Sequence, residues 1–233
     1  MFRRMACITA VVLSVFVANA AWAGDLITNG GFESGLTGWT ATSLGSSNCN
    51  TDWNAGTSGT ATGCLNPGNP YAGTYAAYSS FDGPGPLVYR LRQTISVPSS
   101  VTGAQLSWAQ ALNMSYNGTA RTFSVNILDA SLNPLGTVYS LSVPTGGYVA
   151  GWTRQSADVS SLLAANAGKT LVVEFALTVP QTYTGPGGFG LDQVSLVVTQ
   201  AVPTLSDGSL VGLAILLAIA TVVVTRRRGF ARR

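Results

Sequence analysis

The residues able to do chemistry in this chain are few, and what is missing narrows the field first. No histidine occurs in 233 residues, which removes histidine-based nucleophile activation and histidine-ligated metal centres. Glu33 and Glu174 are the only glutamates, whereas glycoside hydrolysis needs two carboxyl groups at a set separation. Asp52, Asp82, Asp129 and Asp158 stand in turn or cap contexts, where aspartate is common. The run from Asp158 to Leu162 reads as a helix N-cap. The glycine-rich stretch TGPGGFG lacks the lysine and following helix of a phosphate-binding loop. The sequence therefore reads as noncatalytic; a weak hydrolase would have to rest on Glu174 or Asp82.

Two carboxylates raise a different chemistry. In a regular strand Asp192 shares a face with Val194, Leu196 and Val198, and Glu33 shares parity with Ile27 and Asn29. Both then point inward, and an unpaired buried carboxylate is costly. No lysine or arginine lies nearby in sequence. Each could cap backbone amides or reach solvent at a strand end. Alternatively a structural Ca²⁺, which takes carboxylate and carbonyl oxygens in a flexible shell, could be held by Glu33 and Asp192, with Asn29 or backbone carbonyls completing it.

Flat aromatic faces with polar neighbours suit sugars. The loop candidates are Trp53, Tyr71 and Tyr116, followed by Tyr148 and Tyr183; Trp39, Trp108 and Trp152 read as core. Trp53 leads because Asp52 and Asn54 flank it in the small, polar stretch between Cys49 and Cys64. Its replacement by alanine is expected to remove glycan binding and leave stability nearly intact. The two cysteines permit one pairing, a disulfide fifteen residues apart in sequence, worth roughly 3 kcal/mol in the chain-entropy picture.

The elements that must position these groups are strands. Only 9% of residues are charged, against about 25% in an average globular protein. Leu87, Tyr89, Leu91, Ile95 and Val97 alternate with Arg90, Arg92, Thr94 and Ser96. Leu171, Val173, Phe175, Leu177 and Val179 repeat the period with Glu174 outward. Leu106, Trp108 and Leu112 do so again, as do Phe123, Val125 and Ile127. Such period-two runs between Gly/Pro/Asn turns predict an all-β, antiparallel jelly-roll β-sandwich of eight to ten strands. One short helical turn is expected within 157–167.

The ends of the chain handle membranes. Seven of the twelve basic residues are terminal, and between Gly24 and Gln200 five basic residues face eight acidic ones, a net of −3. That excludes a basic nucleic-acid footprint. Arg3 and Arg4 precede an apolar run, and Ala21-Trp22-Ala23 fits signal-peptide cleavage, so residues 1–23 read as a signal peptide whose removal takes Cys7 with it. Gly208 to Thr225 carries no charge; as one C-terminal transmembrane helix it spans about 27 Å. Arg226, Arg227 and Arg228 follow and stay cytoplasmic by the positive-inside rule, leaving domain 24–200 outside.

Residues 201–233 add a motif, Val202-Pro203-Thr204-Leu205-Ser206, ahead of the span. A motif, a span and a basic end form the layout of a sorting signal that an enzyme reads and replaces. This tail resembles the IPTL-CTERM variant of the PEP-CTERM-type sorting domains of Gram-negative bacteria, with Val202 for isoleucine and Asp207-Gly208 where Glu-Trp is usual. The resemblance implies an exosortase-like sorting protease as partner, transient anchoring in the inner membrane, and delivery to the outer surface or extracellular matrix.

The domain opens on DLITNGGFESGLTGWT and closes on FGLDQVSLVV. This pairing resembles galactose-binding-like jelly rolls, including carbohydrate-binding modules of the family 4/9/22 type. In those, first and last strands meet and a structural calcium sits near the seam. The resemblance implies an exported, noncatalytic protein that binds carbohydrate or exopolysaccharide; a structural or adhesive matrix component with no defined small ligand is the alternative.

Overall fold

The computed structural model describes residues 21–44, 52–58, 67–114, 121–143, 148–179, 183–201, 212 and 214–219. Cys49, Cys64, Tyr116, the motif 202–206 and Arg226 to Arg228 lie outside them, as does most of the expected span 208–225. The chain divides into two units. In the one that gathers both chain ends, residues 214–219 are helical. Among the described residues no helix is long and apolar enough to cross a membrane.

The other unit, Trp22–Gln200, is a two-sheet β-sandwich. Its strands are β1 (Ala21–Asp25), β2 (Thr40–Leu44), β3 (Asn54–Gly56), β4 (Ala76–Pro84), β5 (Leu87–Ser96), β6 (Gly103–Met114), β7 (Arg121–Asp129), β8 (Pro134–Val143), β9 (Tyr148–Asp158), β10 (Thr170–Val179) and β11 (Tyr183–Ala201). One sheet runs β3-β4-β11-β6-β9, with β1 also on β11; the other runs β2-β5-β10-β7-β8. From β4 to β11 the chain crosses between sheets at every step except the β7–β8 hairpin, the alternation of a jelly roll. The first and last strands do meet. The short helix α1 (Ser160–Ala165) falls in the expected place, and Asp158 Oδ1 accepts the Ser160 amide at 2.9 Å.

The alternating runs bury the expected faces. Phe175 anchors the centre against Trp39, Trp108 and Phe123, and Phe123 lies 4.3 Å from Phe189 of the facing sheet, ring centre to ring centre. Glu174 does point outward, yet it is only 5% exposed. Arg92 donates to its Oε2 from Nε and a terminal nitrogen at 2.7 and 2.6 Å, Arg90 lies 3.5 Å away, and Asn126 donates to Oε1 at 3.0 Å. With both oxygens so engaged, Glu174 is a cross-strand clasp rather than a proton donor. Glu174→Ala leaves two guanidinium groups and an amide without their acceptor. Urea denaturation should show a loss of about 2 kcal/mol, with Glu174→Gln costing less.

Candidate functional site

Residues 28–39 form a chain of tight turns, not the strand on which Glu33 was expected to point inward. Asn29 and Phe32 take positive φ, 50° and 57°. That reversal drives Phe32, fully buried, into the core and leaves Glu33 outside. Asn29 organises the turns. Its Nδ2 donates to the carbonyls of Gly35 (2.9 Å) and Thr37 (3.1 Å), and its Oδ1 accepts the Ser34 amide at 3.1 Å. Its own carbonyl accepts from Phe32 N and Trp39 Nε1. Both side-chain groups of Asn29 thus serve the turn, its Nδ2 through two bonds and its Oδ1 through one.

Asp192 also departs from strict alternation. Phe189 and Leu191 face the core, and so do Val194, Leu196 and Val198. The odd spacing is accommodated by a register shift against β6 between Asp192 and Ser195, with Gln193 at φ 49°. Asp192 therefore lies with Gly190 on the outer side of the sheet, and the core faces away from it. The loop 71–75 covers it so that it is fully buried. Its Oδ2 accepts the Ala72 amide at 3.0 Å and its Oδ1 the Gln193 amide at 2.7 Å.

Glu33 reaches the same loop. Its Oε1 accepts the amides of Thr74 (2.9 Å) and Tyr75 (3.2 Å). Gly73, at φ 68°, lets the loop pass over this carboxylate; a Cβ there would collide with it. The structure thus brings Glu33 and Asp192 together around one loop, as amide caps. Burial first, and the Glu33 charge in addition, push the Asp192 carboxyl above the ordinary range against the opposing pull of its amide donors. Beside it Tyr78 is fully buried, and among the described residues its hydroxyl has no hydrogen-bond partner. Desolvation and the Asp192 charge push that phenol up as well. No described cation pairs with either carboxylate.

The aromatic candidates sort differently from expectation. Trp53 is 2% exposed and packs edge-on against Phe189 at 5.5 Å, so it is core, not a sugar platform. It immediately precedes β3, which pairs with β4. Tyr71 is 39% exposed, as a ligand contact requires. Tyr148 and Tyr183 begin strands, but their side chains lie outside the described set, as does Tyr116.

Trp152, read as core from sequence, is instead a half-buried partner of Tyr71, with ring centres 6.0 Å apart. It lies across Gly190, where a Cβ would press on its ring, and Nε1 donates to the Asn69 carbonyl at 2.6 Å. A legible signal existed. Gly188 and Gly190 on β11 and Ala109 and Ala111 on β6 are small residues, all buried yet outside the core cluster. Small residues on an outer sheet face mark something lying over them.

No family model matches the chain, and no curated protein matches it. Solved structures similar to it include TmCBM61 in complex with β-1,4-galactotriose, at 15% identity over 74% of this chain and 97% of that one, TM-score 0.47. The K3 cleaved adhesin domain of Lys-gingipain from Porphyromonas gingivalis W83 is 16% identical over 75% and 98%, TM-score 0.46. A cyclase from Fischerella sp. TAU is 14% identical over 78% and 100%, TM-score 0.48.

Proposed function

We propose that domain 24–200 is a noncatalytic carbohydrate-binding module carried outside the cell. The observation that carries this reading is the Tyr71–Trp152 pair: a partly exposed aromatic surface, seated on glycine and pinned by a backbone hydrogen bond. Sugars stack on such rigid faces at little entropic cost. Glycan-array binding by the full-length protein tests it. Wild type should retain a glycan that Tyr71→Ala and Trp152→Ala both release with unchanged circular dichroism. Retention by both variants would place the site elsewhere, and failure of wild type to retain any glycan would instead favour the adhesive matrix role.

The same proposal includes a structural Ca²⁺ at the Glu33–Asp192 loop. The donor chemistry fits: two carboxylates, a buried phenol oxygen without a partner, and carbonyls of the intervening loop are all hard oxygen ligands. Among the described residues no three acidic or soft side chains converge, so backbone oxygens would supply the balance. A bound cation would offset the buried charge of Asp192 and fix the loop bearing Tyr71. Millimolar calcium should raise Tm by several degrees, and an unchanged Tm would remove the cation from the proposal.

Export and sorting complete the reading. Residues 1–23 would direct secretion, and 201–233 would be recognised by an exosortase-like protease after transient anchoring. The support is the order of motif, uncharged stretch and arginines in the sequence. Intact mass of the mature protein tests it: loss of Met1–Ala23 and of residues beyond Ser206 is expected, and a retained tail would reduce the signal to an anchor.

A further inference from the structure

We infer that the Tyr71–Trp152 surface takes an acidic sugar, a uronate within a polysaccharide, with Arg154 as its carboxylate receptor. This rests on the carbohydrate-binding reading above. Arg154 pairs with Ala109 across β9 and β6. Ala109 alternates with the core-facing Trp108 and Gln110, so Arg154 stands on the outer face, two residues beyond Trp152. Successive side chains on one strand face are about 7 Å apart, close to the span from a pyranose ring centre to a receptor for its C5 carboxylate.

The other cations of the sandwich are engaged. Arg90 and Arg92 hold Glu174, Arg121 is buried over the Phe81 ring, and Lys169 donates to Asn166. The Arg154 side chain, on an exposed residue, makes no hydrogen bond or ion pair among the described residues. An unclaimed guanidinium beside a fixed indole offers a planar fork for a carboxylate next to a stacking face for its ring. The nearest acidic groups of the loop, Glu33 and Asp192, are held by the amides of residues 72 to 75 and Gln193.

The test is affinity electrophoresis of the full-length protein against polygalacturonate and alginate, with neutral galactan and mannan as counterparts. Wild type should be retarded by a uronate polymer and less by its neutral counterparts, with retardation falling as salt rises. Arg154→Gln should weaken uronate binding about tenfold, flatten the salt dependence and leave neutral-glycan binding unchanged. Trp152→Ala should lose both. Equal binding of neutral and acidic polymers, or a uronate preference that survives Arg154→Gln, overturns the inference while the carbohydrate-binding reading stands. Indifference of wild type to all four polymers and to the glycan array overturns both.

Discussion

Trp53→Ala will cost about 3–5 kcal/mol of folding stability, the usual range for deleting a large buried aromatic. The side chain is 2% exposed and meets Phe189 edge-on; Phe189 in turn packs on Phe123 of the opposite sheet. Truncation opens a cavity at the junction of the two sheets that the strands β3 and β4 cannot close without breaking their pairing. Guanidinium denaturation should show a lower midpoint with little change in slope. Trp53→Phe provides the control. It keeps an aromatic edge against Phe189 and removes an indole N–H that is buried without a partner among the described residues. Its cost should stay under about 1.5 kcal/mol. A wild-type midpoint for Trp53→Ala, with glycan binding lost, would restore Trp53 to the ligand site and overturn its core assignment.

Asp192→Ala should cost about 2–3 kcal/mol and release the loop 71–75. The change deprives the part-buried amides of Ala72, in that loop, and Gln193, on β11, of their acceptors. Asp192→Asn keeps one acceptor oxygen and should cost less, yet it should abolish any calcium-induced rise in Tm. The pH dependence separates the charge from the hydrogen bonds. In cation-free protein the folded-state pKa of Asp192 is raised, chiefly by burial and further by the Glu33 charge. Such a group binds its proton more tightly folded than unfolded. Its favourable contribution is complete below the unfolded carboxylate value and is lost as pH rises through the folded value. Protein in EDTA should therefore gain a stabilising contribution as pH falls through the raised folded value toward the ordinary carboxylate range, and Asp192→Asn should remove it. If the proposed calcium binds there, saturating it should reverse the sign, because proton and cation would then compete for the same oxygens. A Tm profile in EDTA identical for wild type and Asp192→Asn would show that the Asp192 charge plays no part.

The sandwich was legible wherever one physical rule acted alone. Leu87 to Val97, Phe123 to Ile127 and Leu171 to Val179 alternate because one side of each strand meets the core, and period two reports that directly. The site was legible in its composition but not in its wiring. Glu33 and Asp192 do converge, although neither points inward: a positive φ at Phe32 and the shift at Gln193 each break the parity used to orient them. Asn29 reads as a ligand because amide oxygens suit calcium; which local carbonyls would claim its Nδ2 depends on turns that no periodicity encodes. Trp53 and Trp152 exchanged roles for a shared reason. Whether a loop aromatic is covered, or a strand aromatic left open, is decided by which distant segment lies over it, and that is a property of the pairing order.

The irregularity at Gln193 has a consequence for how this chain can vary. β11 behaves as two half-waves joined with a phase slip: Phe189 and Leu191 keep one beat, and Val194, Leu196 and Val198 keep the next. Residue count across the joint is therefore a coordinate in its own right, separate from residue identity. Deleting Gln193 would take out the extra residue, so that Phe189, Leu191 and the three later side chains fell on one unbroken beat and the shift against β6 closed. Inserting one residue would instead enlarge the bulge and displace one half of β11 along β6. The joint is therefore defined by its one extra residue, and the positive φ at Gln193 favours glycine or asparagine there over a β-branched side chain.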